Sequence, residues 1–370
     1  MDRAYSSFNL TTCKPTSPDP GWWWGRGHPA PTCQVNRCIG WVLLVACFAW
    51  AAWVGIGSFT GRDVSALGSA PSMAALAGMA LVQLAAAHIL NLSAEISWIR
   101  PTAAWFIGLG GSVYAVGTVM HIRLAPGAWL VVAGALINLA GFMLLARMGA
   151  RWGGARDLRL ILAIFCSGLL LHAVVDLIVV TPNLLFVSHI GPEDGIRLRM
   201  LRLARAAGAT LPVLALLHHG LAVRADPDSW AVRWGRVTMW GGAISMATIL
   251  TAAGVIFPGL RLLLPIPALA VFVGTATGVR LARRHAGPFE IWGWLLIVLS
   301  MAGGLLISMV AFDGPLPPPD IIGDYNNFAR QLIRQAHIYT ILLGMAGIFI
   351  SRELNRGCFA VSPLSGRRIP

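Results

Sequence analysis

The chain has 370 residues, of which 56% are hydrophobic and only 12% are charged, and its mean hydropathy is +0.70. Soluble domains carry about 25% charged residues, so this composition excludes a soluble globular protein and predicts an all-α, polytopic integral membrane protein. The formal net charge is +13 and comes almost entirely from arginine, because Lys14 is the only lysine. No basic stretch interleaved with aromatic residues lies outside the apolar segments, so we expect no nucleic-acid partner.

The two ends of the chain differ in composition from the region between them. Residues 1–37 are polar and rich in proline and glycine, with neither helical periodicity nor the apolar core of a signal peptide. We therefore predict a disordered cytoplasmic segment there. Residues 38–352 predict a transmembrane bundle, and residues 353–370 predict a cytoplasmic tail.

Ten apolar segments in this region are long enough to cross a bilayer as helices. They cover roughly 38–60, 71–97, 102–122, 126–148, 158–181, 201–223, 236–256, 262–282, 289–312 and 327–350. With both termini in the cytoplasm, most arginines fall in inside loops, as the positive-inside rule requires. The inside groups are Arg100; Arg147, Arg151, Arg156 and Arg159; Arg224, Arg233 and Arg236; Arg280, Arg283 and Arg284; and the tail arginines beginning with Arg352. We expect a bacterial inner (plasma) membrane location.

A possible duplication would divide the ten spans into five plus five. The segment from Gly117 to Trp129 resembles the segment from Gly278 to Pro288, and each is followed by a glycine-rich span containing tryptophan. Two halves of five spans would have opposite orientations, which is the arrangement of an inverted repeat. Chance matches are common in glycine-rich apolar sequence, and that alternative stays open.

Three predicted spans carry a histidine at a similar depth. At a helical rise of about 1.5 Å per residue, His88, His172 and His337 lie about 18, 20 and 22 Å from the arginines of the inner face. Histidine inside hydrocarbon is costly and commonly functional, and imidazole is a frequent axial ligand of haem iron. The three histidines therefore predict a buried b-type haem or metal site. The alternative is that each one hydrogen-bonds a neighbouring helix.

Arginines near the outer ends of these spans match the carboxylates of a haem. Arg334 precedes His337 by three residues and therefore shares its helix face. Arg202 and Arg205 enter the sixth predicted span from the same side. Arginine pairs with propionate carboxylates in forked geometry, so we expect these three residues to bind the cofactor. Ordinary snorkelling to the interface is the alternative.

Two further polar positions are candidates for chemistry inside the membrane. Asp176 follows His172 by four residues on the same face, where it could relay protons, bind a cation or orient the histidine. Its alternative is a neutral, structural carboxyl. His218 and His219 are adjacent, so their side chains point about 100° apart on a helix. One is a candidate metal ligand, and we expect the other to serve packing or the interface.

One segment, Gln335–Gly344 (QAHIYTILLG), resembles the histidine-bearing helices of the haem–copper oxidase subunit I group and its divergent polytopic relatives. The resemblance implies that His337, His88 or His172 are haem ligands. It implies that His218 or His219 is a copper candidate. The chain has ten predicted spans where that subunit has twelve, and it lacks a His-x-x-x-Tyr pair, so we do not predict oxygen reduction.

Three functions remain open at this point. The leading one is a haem-binding or haem/copper-linked protein of electron transfer or respiration, with a quinone or a redox protein as partner. The second is a secondary transporter with a midplane site that includes Asp176. The third is a non-catalytic subunit or assembly factor of a larger membrane complex, in which the histidines only join helices. The sequence assigns no enzymatic reaction.

Overall fold

The computed structural model describes nine long helices and parts of the connections between them. The described residues are 31–59, 70–92, 98–121, 127–149, 195–310 and 328–355, with 167, 168, 170, 171, 173–175, 177, 178 and 316. The helices are α1 (Pro31–Phe59), α2 (Ala70–Leu92), α3 (Ile99–His121), α4 (Gly127–Gly149), α5 (Gly195–Ala222), α6 (Trp230–Val255), α7 (Pro265–His285), α8 (Pro288–Val310) and α9 (Phe328–Asn355). A 3-10 turn, Pro258–Leu263, joins α6 to α7. No strand occurs in these ranges.

Several of these helices have the length and composition of membrane spans. Within the described ranges, six qualify: Ile99–Met120, Gly127–Leu145, Gly195–Ala222, Trp230–Val255, Pro258–His285 and Pro288–Val310. Shorter apolar stretches, Gln34–Trp50 and Leu76–Ala87, lie in α1 and α2. Many large apolar side chains point outward from the bundle, among them Trp105, Val237 and Leu299. The described part of the chain is therefore helical, as predicted, and six of its helices have the length and composition of membrane spans.

The predicted boundaries at the two ends of the bundle were wrong by several residues. Helix α1 begins at Pro31, so disorder over residues 1–37 is incorrect for its last part. The reason is that polar residues there find partners: the Asn36 amide donates to the Ala104 carbonyl at 3.0 Å, and Arg37 pairs with Glu353 at 3.0 Å. Glu353 was expected in the tail, but α9 continues to Asn355.

The helices pack in two groups that follow the chain order. Helices α1, α2 and α3 contact one another, α4 packs against α3, and α5 to α9 contact their neighbours in sequence. Helix α2 joins the groups, because it also contacts α5 and α9. Its side chains from Leu76 to Ala87 are buried throughout, so α2 is a central helix.

Helices α3 and α4 approach each other through glycine. A Cβ atom on Gly110 would lie 2.5 Å from the backbone nitrogen of Asn138, and one on Gly117 would lie 2.5 Å from that of Val131. Real Cβ atoms do not approach backbone so closely, so both positions need glycine. Small residues of this kind let membrane helices pack backbone against backbone.

A buried amide connects this pair to α2. The Gln83 side-chain nitrogen donates to the Ile107 carbonyl at 2.9 Å and to the Asn138 side-chain oxygen at 3.3 Å. The Asn138 amide in turn donates to the Gly134 carbonyl at 3.3 Å. Helices α2, α3 and α4 thus share one polar cross-link in an apolar core.

We expect Gly110→Ala to destabilise the bundle, because its methyl group meets the α4 backbone, which cannot rotate away. Overpacking of this kind costs about 1–3 kcal/mol. The measurement is the unfolding midpoint of the purified protein in mixed detergent micelles. Gly241→Ala is the matched control, since an added Cβ there meets no described atom within 4 Å. Equal midpoints for the two variants would contradict the close α3–α4 contact.

Candidate functional site

His337 is held by α8 through hydrogen bonds at both its ring and its backbone. The His337 Nδ1 atom lies 2.7 Å from the Ser300 carbonyl oxygen, which can only accept, so Nδ1 carries the proton. The Ser300 hydroxyl donates to the His337 carbonyl at 2.5 Å. These two bonds fix the ring orientation and the tautomer. They leave Nε2 as the nitrogen with the lone pair.

A glycine one turn further along α8 makes room for this ring. A Cβ atom on Gly304 would lie 2.9 Å from His337 Nε2 and 3.1 Å from Nδ1. The imidazole therefore rests against the α8 backbone in a slot formed by Ser300 and Gly304. The ring is half-buried there.

The other residues predicted to surround a haem are described to different extents. His88 lies on α2 between the buried residues Ala87 and Ile89, but only its backbone is described. Arg334 is likewise described only as part of α9. His172 and Asp176 lie outside the described residues, although their described neighbours are helical. Of the three histidines predicted at one depth, the structure therefore gives side-chain geometry for His337.

Arg202 and Arg205 lie in the first half of α5, exposed and half-buried respectively. Helix α5 ends beside the end of α9, because Arg352 donates to the Leu217 carbonyl at 3.1 Å. The beginnings of α5 and α9 therefore lie toward the opposite end of the bundle. This places Arg202 and Arg205 toward the same end as Arg334.

His218 and His219 face different helices. His218 Nε2 lies 3.0 Å from the Thr277 hydroxyl, which donates its own hydrogen to the Gly274 carbonyl at 2.7 Å. His218 therefore donates from Nε2, and its Nδ1 has no hydrogen-bond partner within the described part of the chain. The His219 ring lies beside Trp240 on α6, with the centroids 6.4 Å apart.

The His218 ring is enclosed on its remaining sides. It meets Trp294 edge to face with the centroids 6.1 Å apart, and it is fully buried. A Cβ atom on Gly235 would lie 2.5 Å from its Nε2. This tight packing favours a structural role for His218, joining α5 to α7 and α8.

The two histidine sites lie at different levels of the bundle. His218 follows directly after Leu217, whose carbonyl binds Arg352. His337 precedes Arg352 by fifteen residues on α9, which is about 22 Å along a helix. A single metal ion cannot bind both.

A buried ion pair near His218 was not anticipated. Arg352 donates to one Glu290 oxygen from Nη2 at 2.6 Å and from Nε at 2.9 Å. The two side chains are only 2% and 1% exposed. Arg352 was grouped with the cytoplasmic tail arginines, but its side chain is buried inside the bundle, where a carboxylate and a backbone carbonyl compensate its burial. The available sequence signal was Glu290, a rare acid at the start of an apolar span.

Arg224 adds a second positive charge beside this pair. Burial lowers the pKa of the Arg224 guanidinium, the charge of Arg352 lowers it further, and Glu290 opposes both effects. Arg224 also donates to the His285 carbonyl at 3.3 Å. The carboxylate of Glu290 thus stabilises positive charge on more than one arginine.

Comparison with models of known families, with curated proteins and with solved structures found no match. Within the described ranges, no three His, Cys, Asp or Glu side chains come together as a metal-binding group. At His337, Nδ1 is bonded to a backbone carbonyl and Nε2 keeps the lone pair.

We expect Glu290→Gln to destabilise the protein strongly, because it leaves the Arg352 charge buried without a counter-charge. Breaking a buried pair in this way costs about 3–5 kcal/mol. Detergent unfolding of the purified variant measures the loss. Asp228→Asn, in an exposed loop, is the control and should unfold like the wild type. Wild-type stability of Glu290→Gln would show that the pair is not what stabilises this end of the bundle.

Proposed function

We propose that this chain is an integral membrane haem-binding protein with a role in electron transfer, and that His337 is an axial ligand of a b-type haem. One observation carries the proposal: His337 donates its Nδ1 proton to the Ser300 carbonyl at 2.7 Å. Histidines that bind metals usually donate their second ring nitrogen to a carbonyl or carboxylate. That bond prepares Nε2 as a ligand and makes it more basic.

The residues near His337 suit the other parts of a haem. Arg334 precedes it by one turn, and Arg202 and Arg205 lie toward the same end of the bundle, where they would bind propionates. His88 or His172 would supply a second imidazole, and α2, which carries His88, contacts α9. When bound, a b-type haem supplies one-electron redox chemistry. A quinone or a redox protein would then exchange the electron.

The proposed topology has ten spans with both termini in the cytoplasm of a bacterial cell. The position of five arginines at one end of the bundle supports this topology. They lie at the end of α5, the start of α6 and the end of α7: Arg224, Arg233, Arg280, Arg283 and Arg284. Basic loops of this kind stay on the cytoplasmic side. The five-plus-five duplication stays a prediction, since most of the fifth span lies outside the described residues.

Reporter fusions test this orientation. A reporter inserted after Asp228 should be active only as a cytoplasmic protein, and one inserted after Pro258 only as an external protein. The reverse pattern would refute cytoplasmic termini. The same activity at both sites would refute α6 as a span.

For the haem itself, we expect the purified wild type to show a Soret band and His337→Ala to lose most of it, because the iron loses its ligand while the span becomes more apolar. Absorbance per mole of folded protein is the measurement. His285→Ala, at the end of α7, is the control and should keep the spectrum. A colourless wild type would end the haem proposal.

If such a colourless protein moved a proton or a solute in a manner dependent on Asp176, it would instead be a secondary transporter.

Variants of two adjacent glycines on α8 test whether the slot around His337 positions a haem ligand or only contributes to packing. Gly304→Ala should displace the imidazole and weaken or shift the Soret band, because the added methyl group meets the His337 ring. Gly303→Ala should leave the band unchanged, since its Cβ meets no described atom within 4 Å. Equal spectra for both variants would mean that the Ser300–Gly304 slot does not position a ligand.

A further inference from the structure

A cavity of about 330 Å³ opens at the arginine-rich end of the bundle, apart from the His337 site. It lies between the start of α6 and the end of α7, and its lining includes Ser229, Trp230, Arg280, Arg284 and His285. Small-molecule sites range from about 300 to 1,000 Å³. The cavity is therefore large enough for a small polar group.

Positive charge converges on this cavity. The Arg280 guanidinium lies over the Trp230 ring, with its central carbon 4.9 Å from the ring centroid. Arg284 follows one helical turn later, so both arginines share a face of α7. Asp226 is the one acid of the lining, and its carboxylate accepts a hydrogen bond from the Asp228 backbone at 3.0 Å. The lining therefore favours an anion.

The first turn of α6 also lines the cavity and adds hydrogen-bond donors. Trp230 and Ala231 begin this helix and line the cavity. Ser229, at the N-cap position, makes no side-chain capping bond. The first backbone N–H groups of a helix carry its positive dipole end. The N–H groups of Ser229 and Val232 already donate to the Asp226 and Ser229 carbonyls, which leaves those of Trp230 and Ala231 as the donors of this turn. Arginine side chains and the start of a helix thus line the same cavity.

The position of the cavity indicates which anion reaches it. Trp230 is half-exposed, and below it on α6 the exposed apolar residues Trp234, Val237 and Ile244 continue along the helix. Phe289 and Trp292, at the same end of α8, are also exposed. Aromatic residues collect where the membrane meets water. The cavity therefore opens at the depth of lipid headgroups, beside a surface on which an acyl chain can lie.

We propose that this cavity is a specific site for the phosphodiester headgroup of an anionic phospholipid. Arg280 and Arg284 bind the phosphate oxygens, and the first turn of α6 also donates to them. The acyl chains lie along Trp234 and Val237. The arginine over Trp230 is held in place before the lipid arrives, which lowers the entropy lost on binding.

Native mass spectrometry of the full chain from nanodiscs tests this proposal. In phosphatidylcholine discs containing phosphatidylglycerol, the wild type should retain one phosphatidylglycerol. The double variant Arg280→Gln, Arg284→Gln should retain at least tenfold less. Arg283→Gln is the matched control, because it removes an exposed charge from the same helical turn without touching the cavity. It should retain the lipid within twofold of the wild type.

Two further outcomes would overturn the proposal. Equal losses from the double variant and from Arg283→Gln would mean that general surface charge attracts the lipid. Displacement of phosphatidylglycerol by excess inorganic phosphate would mean that the cavity is a site for the free anion. If the double variant failed to fold, hydrogen exchange of wild-type residues 225–231 would decide. Exchange slower in phosphatidylglycerol discs than in pure phosphatidylcholine supports the site, and unchanged exchange refutes it.

Discussion

The Arg352–Glu290 ion pair sets the arrangement of the C-terminal half of the bundle. Two charges removed from water cost several kcal/mol each, and only close, well-directed contacts compensate for that cost. Both arginine nitrogens reach the same carboxylate oxygen, and Nη2 also reaches the Leu217 carbonyl. These contacts involve α5, α8 and α9 together. A shift of α5, α8 or α9 along its axis by one residue, about 1.5 Å, would lengthen these contacts.

The same register explains why His337 meets a glycine. Gly304 follows Glu290 by fourteen residues on α8, and His337 precedes Arg352 by fifteen on α9. At a rise of about 1.5 Å per residue, both lie about 21–22 Å from the ion pair. Because α8 and α9 run antiparallel, the His337 ring and Gly304 lie at the same level along the bundle. A slip of one residue would turn a different side chain toward the imidazole.

Much of the helical architecture could be predicted from the sequence, because apolar segments of membrane length are a property of composition alone. The hydrogen-bond and ion-pair partners of the buried polar residues could not be predicted from the sequence. Glu290 and Arg352 are 62 positions apart, and each lies near a helix end, where a charged residue normally reaches the interface. The sequence did not indicate that Gln83 and Asn138 bond each other either, since an isolated amide in an apolar span is compatible with any neighbouring helix. The depth of His337 could be estimated from helical rise. Its partner, Ser300, could not be predicted, because that depends on which helix packs beside α9.

The glycine contacts of α3 and α4 have a mechanical consequence. Where backbones touch directly, no side chain lies between them that could change rotamer and absorb a shift. The amide cross-link from Gln83 adds α2 to this unit. The close backbone contacts and the shared amide therefore oppose sliding of α2, α3 and α4 against one another.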